Sequence, residues 1–133
     1  MLKATAAVGV FIVAILLALN AAVSSGGLLR YAKIHQDSKW AGCRMPFYFA
    51  HLFYSIQHYD DAITYFSFVS ENSPHSEEGQ ESAFYAIVCK RMLGTAKQQD
   101  YVDFVQTYSS GTYHETVTHY LDGSIALQPS VIR

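Results

Sequence analysis

Little in this chain is suited to chemistry. Its 133 residues hold two cysteines, Cys43 and Cys89, which form no CxxC, haem-attachment or zinc-ribbon spacing. Six histidines are scattered as His35, His51, His58, His75, His114 and His119. None makes an i,i+4 pair, and no Cys or carboxylate set beside them has metal-ligand spacing. No glycine-rich phosphate loop occurs, and no nucleophile stands in a recognisable catalytic setting. Charge is also scarce, at 15% of residues, with nine Lys and Arg against eleven Asp and Glu. A net charge of −2 with no basic run speaks against nucleic acid as a partner. The expectation is a chain that is not an enzyme, with no metal, no cofactor and no small-molecule substrate.

Charge is missing altogether from Ala4–Val23. Twenty helical residues are about 30 Å long, the thickness of a bilayer's hydrocarbon core, so residues 1–25 read as a single transmembrane anchor. The competing reading is a cleaved secretory signal, with Lys3 in front and Ala22-Val23-Ser24 as a small-residue cleavage site. The apolar run is longer than a usual signal core, which favours the anchor. A bacterial inner membrane or an organelle inner membrane is the expected location. Arg30, Lys33, Lys39 and Arg44 beyond the span outnumber Lys3, which favours a cytoplasmic, matrix or stromal domain. An anchor with a short basic head also inserts the other way, so both orientations stand. Residues 26–44 read as a juxtamembrane segment, in which Leu28, Leu29, Tyr31, Ile34 and Trp40 join basic residues suited to the headgroup layer.

Removing the anchor leaves roughly 110 residues, enough for one small domain. Helical periodicity dominates it. Phe49, Phe53 and Ile56 form one apolar stripe, and Tyr59, Ala62, Ile63, Phe66 and Val69 form a second, separated by Gln57 and His58. Two short antiparallel helices follow. Asp60 and Asp61 suit the start of the second helix, where carboxylates meet exposed N–H groups and the positive end of the helix dipole. Pro74 stops that helix, and Ser73 is expected to cap the next one with Pro74 as its first residue.

These residues resemble the tetratricopeptide repeat, a 34-residue helix-turn-helix unit. Ala50 stands at the small position of the first helix, with Phe53 and Tyr54 at its aromatic position and the next. Tyr59 is the aromatic after the turn, Ala62 the small contact of helix two, Phe66 its aromatic, and Pro74 the terminal proline. Three positions depart from the pattern: Pro46 replaces the usual Trp, Gln57 the usual turn Gly, and Val69 the second small residue. One period on, Tyr59 falls on Leu93, Ala62 on Ala96, Phe53 on Ile87 and Ala50 on Phe84. Phe66 and Val69 reach Tyr101 and Phe104 only after an insertion near Lys97–Asp100. A second, degenerate hairpin is therefore expected. Its first helix runs from about Ser76 to Leu93, opened by Glu77, Glu78 and Glu81 and closed by Gly94. Its second carries Tyr101, Phe104 or Val105, and Tyr108.

Tyr113, Val117, Tyr120 and Leu121 then share one face of a last helix, expected to break at Asp122-Gly123 and to cap the array. The fold class is thus all-α: one transmembrane helix followed by about two hairpins and a capping helix over 45–123, with 124–133 a tail without periodicity. By the resemblance, Cys43 and Cys89 fall in or beside the first helices of successive hairpins. They are a conceivable disulfide in an oxidising compartment and buried thiols otherwise.

The resemblance also implies a function. In tetratricopeptide proteins the first helices line a groove that accepts an extended peptide or a partner helix. Carried over residue by residue, that groove comprises Arg44, Phe47, His51, Tyr54 and Ser55 from the first hairpin and Glu78, Glu81 and Tyr85 from the second. It lacks the Lys and Asn with which one subgroup clamps a chaperone's C-terminal carboxylate. Phe47 and His51 instead suit a helix or apolar segment of a neighbour. Ten Tyr among 14% aromatic residues serve either such a contact surface or the gaps between helices. The expected function is a non-catalytic, single-pass membrane subunit that makes protein–protein contacts in a larger membrane complex. Its role there is structural, accessory or in assembly, and its partners are other subunits and the bilayer. The alternative is a membrane-tethered adaptor or receptor acting transiently in envelope assembly or protein import. For that reading, FSFVSENSPHSEEGQESAFYA is similar to hairpin junctions in bacterial outer-membrane-assembly and cell-division repeat proteins.

Overall fold

The structure is a computed structural model that describes residues 2–24 and 26–126. Seven α-helices and one π-helical turn make up its regular structure, with no strand among the described residues. Helix α1 is Leu2–Ser24 and α2 is Gly27–Ile34. The π-turn Trp40–Arg44 runs directly into α3, Met45–Ser55. There follow α4 Tyr59–Asn72, α5 Glu77–Met92, α6 Gln98–Thr107 and α7 His114–Ala126.

Helix α1 contains the one segment among the described residues that is long and apolar enough to cross a membrane. Lys3–Ala22 has a mean hydropathy of 2.3 and buries none of its residues against the rest of the chain. Beyond Lys3 the helix carries no charge and is apolar on every side, so it has no polar face for water. Beyond Gly26, whose φ is +70°, the segment expected at the headgroups packs partly inward. Leu29 joins the first core and Ala32 is fully buried. Ala41 and Cys43 are buried too, and the boundary drawn at 44/45 lies inside one continuous helix.

That continuity has a local cause. Pro46 has no N–H to give the Gly42 carbonyl and its ring crowds that carbonyl, so an ordinary helical turn is disfavoured there. The chain widens by one residue instead, with Arg44 N–H bonding Lys39 O at 3.1 Å and Met45 N–H bonding Trp40 O. The Asn72 side chain donates from Nδ2 to the Gly42 carbonyl at 2.9 Å and to the Gln36 carbonyl at 3.0 Å. One amide thereby fastens the start of the domain to the end of α4.

Helices α3 and α4 form the expected hairpin. The turn closes with His58 N–H on Phe53 O at 2.9 Å, and Gln57 takes φ +63° at the position where the resembled family has Gly. Ala50, Phe53, Ala62, Tyr65 and Phe66 build the first core with Ala86 and Cys89 of α5. The expected cap of α5 is corrected. Ser73 instead ends α4, its N–H on Val69 O, and Pro74 lies in the turn, not in a helix. The cap is Ser76, extended at φ −83° and ψ 160°, whose Oγ accepts the Gly79 N–H at 2.9 Å and donates to Ser73 O at 2.8 Å.

Gly94, at φ +71°, follows α5. Lys97–Asp100, where an insertion was expected, form the N-cap and first turn of α6, and the Asp100 carboxylate accepts the Lys97 N–H at 2.8 Å and Lys90 Nζ at 2.7 Å. Burial by itself would raise the Asp100 carboxyl, but these two donors outweigh it and hold the group below its ordinary value. Helices α5 and α6 meet through Ile87, Tyr101 and Phe104, and α7 completes this second core with Val117, flanked by Tyr113, Tyr120 and Leu121. A cleft of about 430 Å³ opens between α4, α5 and α6, lined among others by Ser67, Glu71, Ala83 and Phe104. Tyr108 reaches across to donate its hydroxyl to Pro74 O at 3.0 Å. Helix α7 runs through Asp122-Gly123 to Ala126 instead of breaking there. Tyr120 and Leu121, packed on the second core, carry the helix past a glycine that alone costs about 1 kcal/mol. Residues 124–126 of the expected tail thus belong to α7, and 127–133 lie outside the described residues.

Candidate protein-contact face

The eight residues assigned to the groove lie on α3, its π-helical lead-in and α5. Five of them, Phe47, His51, Tyr54, Glu81 and Tyr85, meet in a connected set, and Arg44 and Glu78 form a separate pair. Arg44 Nε stands 3.7 Å from Glu78 Oε1, and His51 Nε2 stands 3.5 Å from Glu81 Oε1. The His51 ring lies edge-on to Tyr85 at 4.9 Å and to Phe47 at 4.6 Å, and Tyr54 packs edge-on to Tyr85 at 5.2 Å. Arg44 and Glu78, and His51 and Tyr85, are each one 34-residue period apart. Ser55 is the exception. It is exposed, and its hydroxyl turns back to the His51 carbonyl at 2.8 Å.

Local structure explains the assembly. Phe47, His51 and Tyr54 recur at helical spacing on one flank of α3, next to the side that buries Ala50 and Phe53. Glu78, Glu81 and Tyr85 do the same on α5. Phe66 of α4 lies beneath both helices, its ring 5.0 Å from His51 and stacked 5.6 Å from Tyr85. Aromatic pairs in such edge-on and offset arrangements add about 0.5–1.5 kcal/mol each beyond area burial. The face is therefore stiff before any partner arrives.

Its charges are muted. Burial lowers the His51 imidazole below its ordinary value, and the pull of Glu81 only partly opposes this. At neutral pH His51 is uncharged, so its approach to Glu81 is a polar contact and not an ion pair. Burial, with smaller contributions led by Tyr85, raises the Tyr54 hydroxyl, which stays protonated and available as a donor. The surface is aromatic, half-buried and edged by Arg44 and the two glutamates.

Two aromatics extend the face beyond the expected set. Phe84 packs edge-on to Tyr85 at 5.4 Å and stacks on Tyr113 at 4.2 Å with 13° between the rings. The row from Phe47 thereby continues to the residue that precedes α7. The adjacent Phe84-Tyr85 pair was the available signal, since neighbours on a helix turn different ways and two large rings cannot both point into one core.

Among the described residues no group of three or more His, Cys, Asp or Glu side chains is placed to hold a metal ion. Cys43 and Cys89 are both buried and free. Burial pushes the Cys89 thiol up to about 11, which keeps it protonated. Cys43 Sγ lies 4.0 Å from Ser76 Oγ, at the π-turn where it meets α5.

The fold and face together define an all-helical protein with one long apolar N-terminal helix and an aromatic surface shared by α3 and α5. In comparisons with known proteins, no family model, curated protein or solved structure matches the chain.

Proposed function

We propose that this chain is a non-catalytic, single-pass membrane subunit that uses a tetratricopeptide-like helical domain for protein contacts within a larger membrane complex. The observation that carries the reading is the aromatic row Phe47–His51–Tyr85–Phe84–Tyr113, built across helices whose paired residues stand one period apart. Rigid aromatic side chains are the typical anchors of protein interfaces, since they bury large area at little entropic cost. The apolar, unburied α1 supports membrane attachment by length and composition. An apolar helix or extended segment of a neighbouring subunit is the fitting occupant of the row, with Arg44, Glu78 and Glu81 setting its register.

Gentle detergent extraction followed by native electrophoresis tests the reading. The chain should migrate in a large assembly and copurify with its neighbours at fixed ratio. Migration as a free small protein refutes it. Release by moderate salt with reversible client binding instead identifies a tethered adaptor in assembly or import.

A further inference from the structure

Helix α3 carries a second unpartnered surface. Tyr48, Leu52 and Ile56 follow one another at four-residue spacing, and each is more than half exposed. Trp40, at the head of the π-turn, is exposed to the same degree, and its ring lies 6.1 Å from that of Tyr48. Tyr31 and Ile34 on the outer side of α2 are exposed as well. Isolated exposed apolar residues are ordinary, but a continuous stripe of large ones marks an interaction surface.

We infer that this stripe rests on the bilayer, as a second membrane contact placed in the anionic headgroup layer beside the α1 anchor. The inference builds on the single-pass reading of α1. Three observations select lipid as the occupant. First, only residues 25 and 26 separate α1 from α2, a reach of at most about 11 Å, so α2 begins near the membrane surface. Second, the chemistry is interfacial. Tyr31, Trp40 and Tyr48 have amphipathic rings, and Ile34, Leu52 and Ile56 add exposed apolar side chains. Third, the charge is complementary to anionic lipid. Arg30, Lys33 and Lys39 are exposed and make no ion pair among the described residues, whereas Asp37 is the only carboxylate from 26 to 44.

The consequence for the proposed contact face is geometric. At about 100° per residue, Phe47, His51 and Tyr54 lie roughly a third of a turn around α3 from the Tyr48–Leu52–Ile56 stripe. With the stripe on the lipid, the aromatic row looks obliquely away from the membrane, toward the aqueous part of a neighbour.

Trp40 is the sole tryptophan of the chain, so its fluorescence is a built-in probe. The full chain is reconstituted into phosphatidylcholine vesicles with and without phosphatidylserine. Phosphatidylcholine brominated at shallow acyl positions serves as the quencher. Trp40 emission should be blue-shifted and quenched in the anionic vesicles. Leu52→Trp in a Trp40→Phe background should be quenched likewise, and Phe47→Trp in that background should not. Omitting phosphatidylserine, or replacing Arg30, Lys33 and Lys39 together by Glu, should reduce the quenching several-fold. Resistance to alkaline carbonate extraction reports insertion of α1 separately. An inserted chain whose Trp40 escapes the quencher overturns the inference and leaves the anchor intact, and a blue shift without lipid quenching does the same by showing that protein covers the stripe. A chain extracted by carbonate overturns the anchor itself.

Discussion

Asn72 Nδ2 lies 2.9 Å from the carbonyl oxygen of Gly42, the acceptor that Pro46 leaves without its usual helical donor. A side chain at the end of α4 thus repairs a defect thirty residues earlier in the chain. Its second bond, to Gln36 O at 3.0 Å, holds the loop between α2 and the π-turn. The same loop is tightly packed, for a Cβ at Gly42 would collide with the Gln36 carbonyl.

Asn72→Ala should therefore destabilise the domain by about 1–3 kcal/mol, the cost of leaving a buried carbonyl unpaired. Urea unfolding of the detergent-solubilised chain, followed by Trp40 fluorescence, measures the loss. Since Trp40 begins the π-turn, its emission should also change in the folded baseline. A variant with unchanged midpoint and baseline would mean that the Asn72 bonds contribute nothing.

Gln57 is the one described residue other than Gly with a positive φ, at +63°. A left-handed conformation costs a residue with a Cβ about 1–2 kcal/mol, part of which the greater freedom of Gly in the unfolded chain takes back. Gln57→Gly should raise stability by about 0.5–1 kcal/mol. The predicted sign is unusual for glycine, and a lower urea midpoint would contradict the turn geometry.

Gly79 behaves in the opposite way. A Cβ there would run into the Ser73 carbonyl, because the Ser76 cap draws the first turn of α5 against the end of α4. The obstacle is backbone and not the far end of a flexible side chain, so the backbone must move. Gly79→Ala should cost about 2–3 kcal/mol, in the range of core overpacking, despite the better helix propensity of Ala. Equal stability of variant and parent in the same urea titration would remove the close approach from the account of the cap.

How much of this was readable beforehand depended on the kind of signal. The α3–α4 hairpin followed from its two stripes, whose Phe53, Ala62, Phe66 and Val69 are buried, whereas Ile56, counted in the first stripe, is exposed. The groove positions were carried over from the resemblance one by one, and the contacts Arg44–Glu78 and His51–Tyr85 between them are found only in the structure. The π-turn was not readable. Apolar spacing carries no trace of a bond that skips one residue further back, and the Asn72 donor that sustains it is remote in sequence. The α5 cap was misplaced because Ser73 and Ser76 both offer a hydroxyl, and Pro74 after Ser73 copied a helix-start signal. Phe84, an apolar position as the counterpart of Ala50, does pack on the second core, but its stacking on Tyr113 had no sequence signal.

The contact face should also respond to pH through His51. Its folded value lies below the ordinary 6.5, chiefly because burial disfavours the imidazolium. The unfolded chain therefore takes up this proton more readily than the folded one. The stabilisation is complete above about 6.5 and is lost as the pH falls from there through the depressed folded value. Glu81, at 3.5 Å, lessens the loss without reversing it. The informative quantity is the difference between the parent and His51→Gln. That difference should move in favour of the variant between about pH 7.5 and pH 5.5. A partner segment laid over Phe47, His51 and Tyr85 would desolvate the imidazole further, so the assembled complex should loosen over the same interval and more steeply than the isolated chain unfolds. Complexes that keep an unchanged size on native gels at both pH values would separate His51 from the contact. The row would then have to bind through Tyr54, Phe84 and Tyr113 alone.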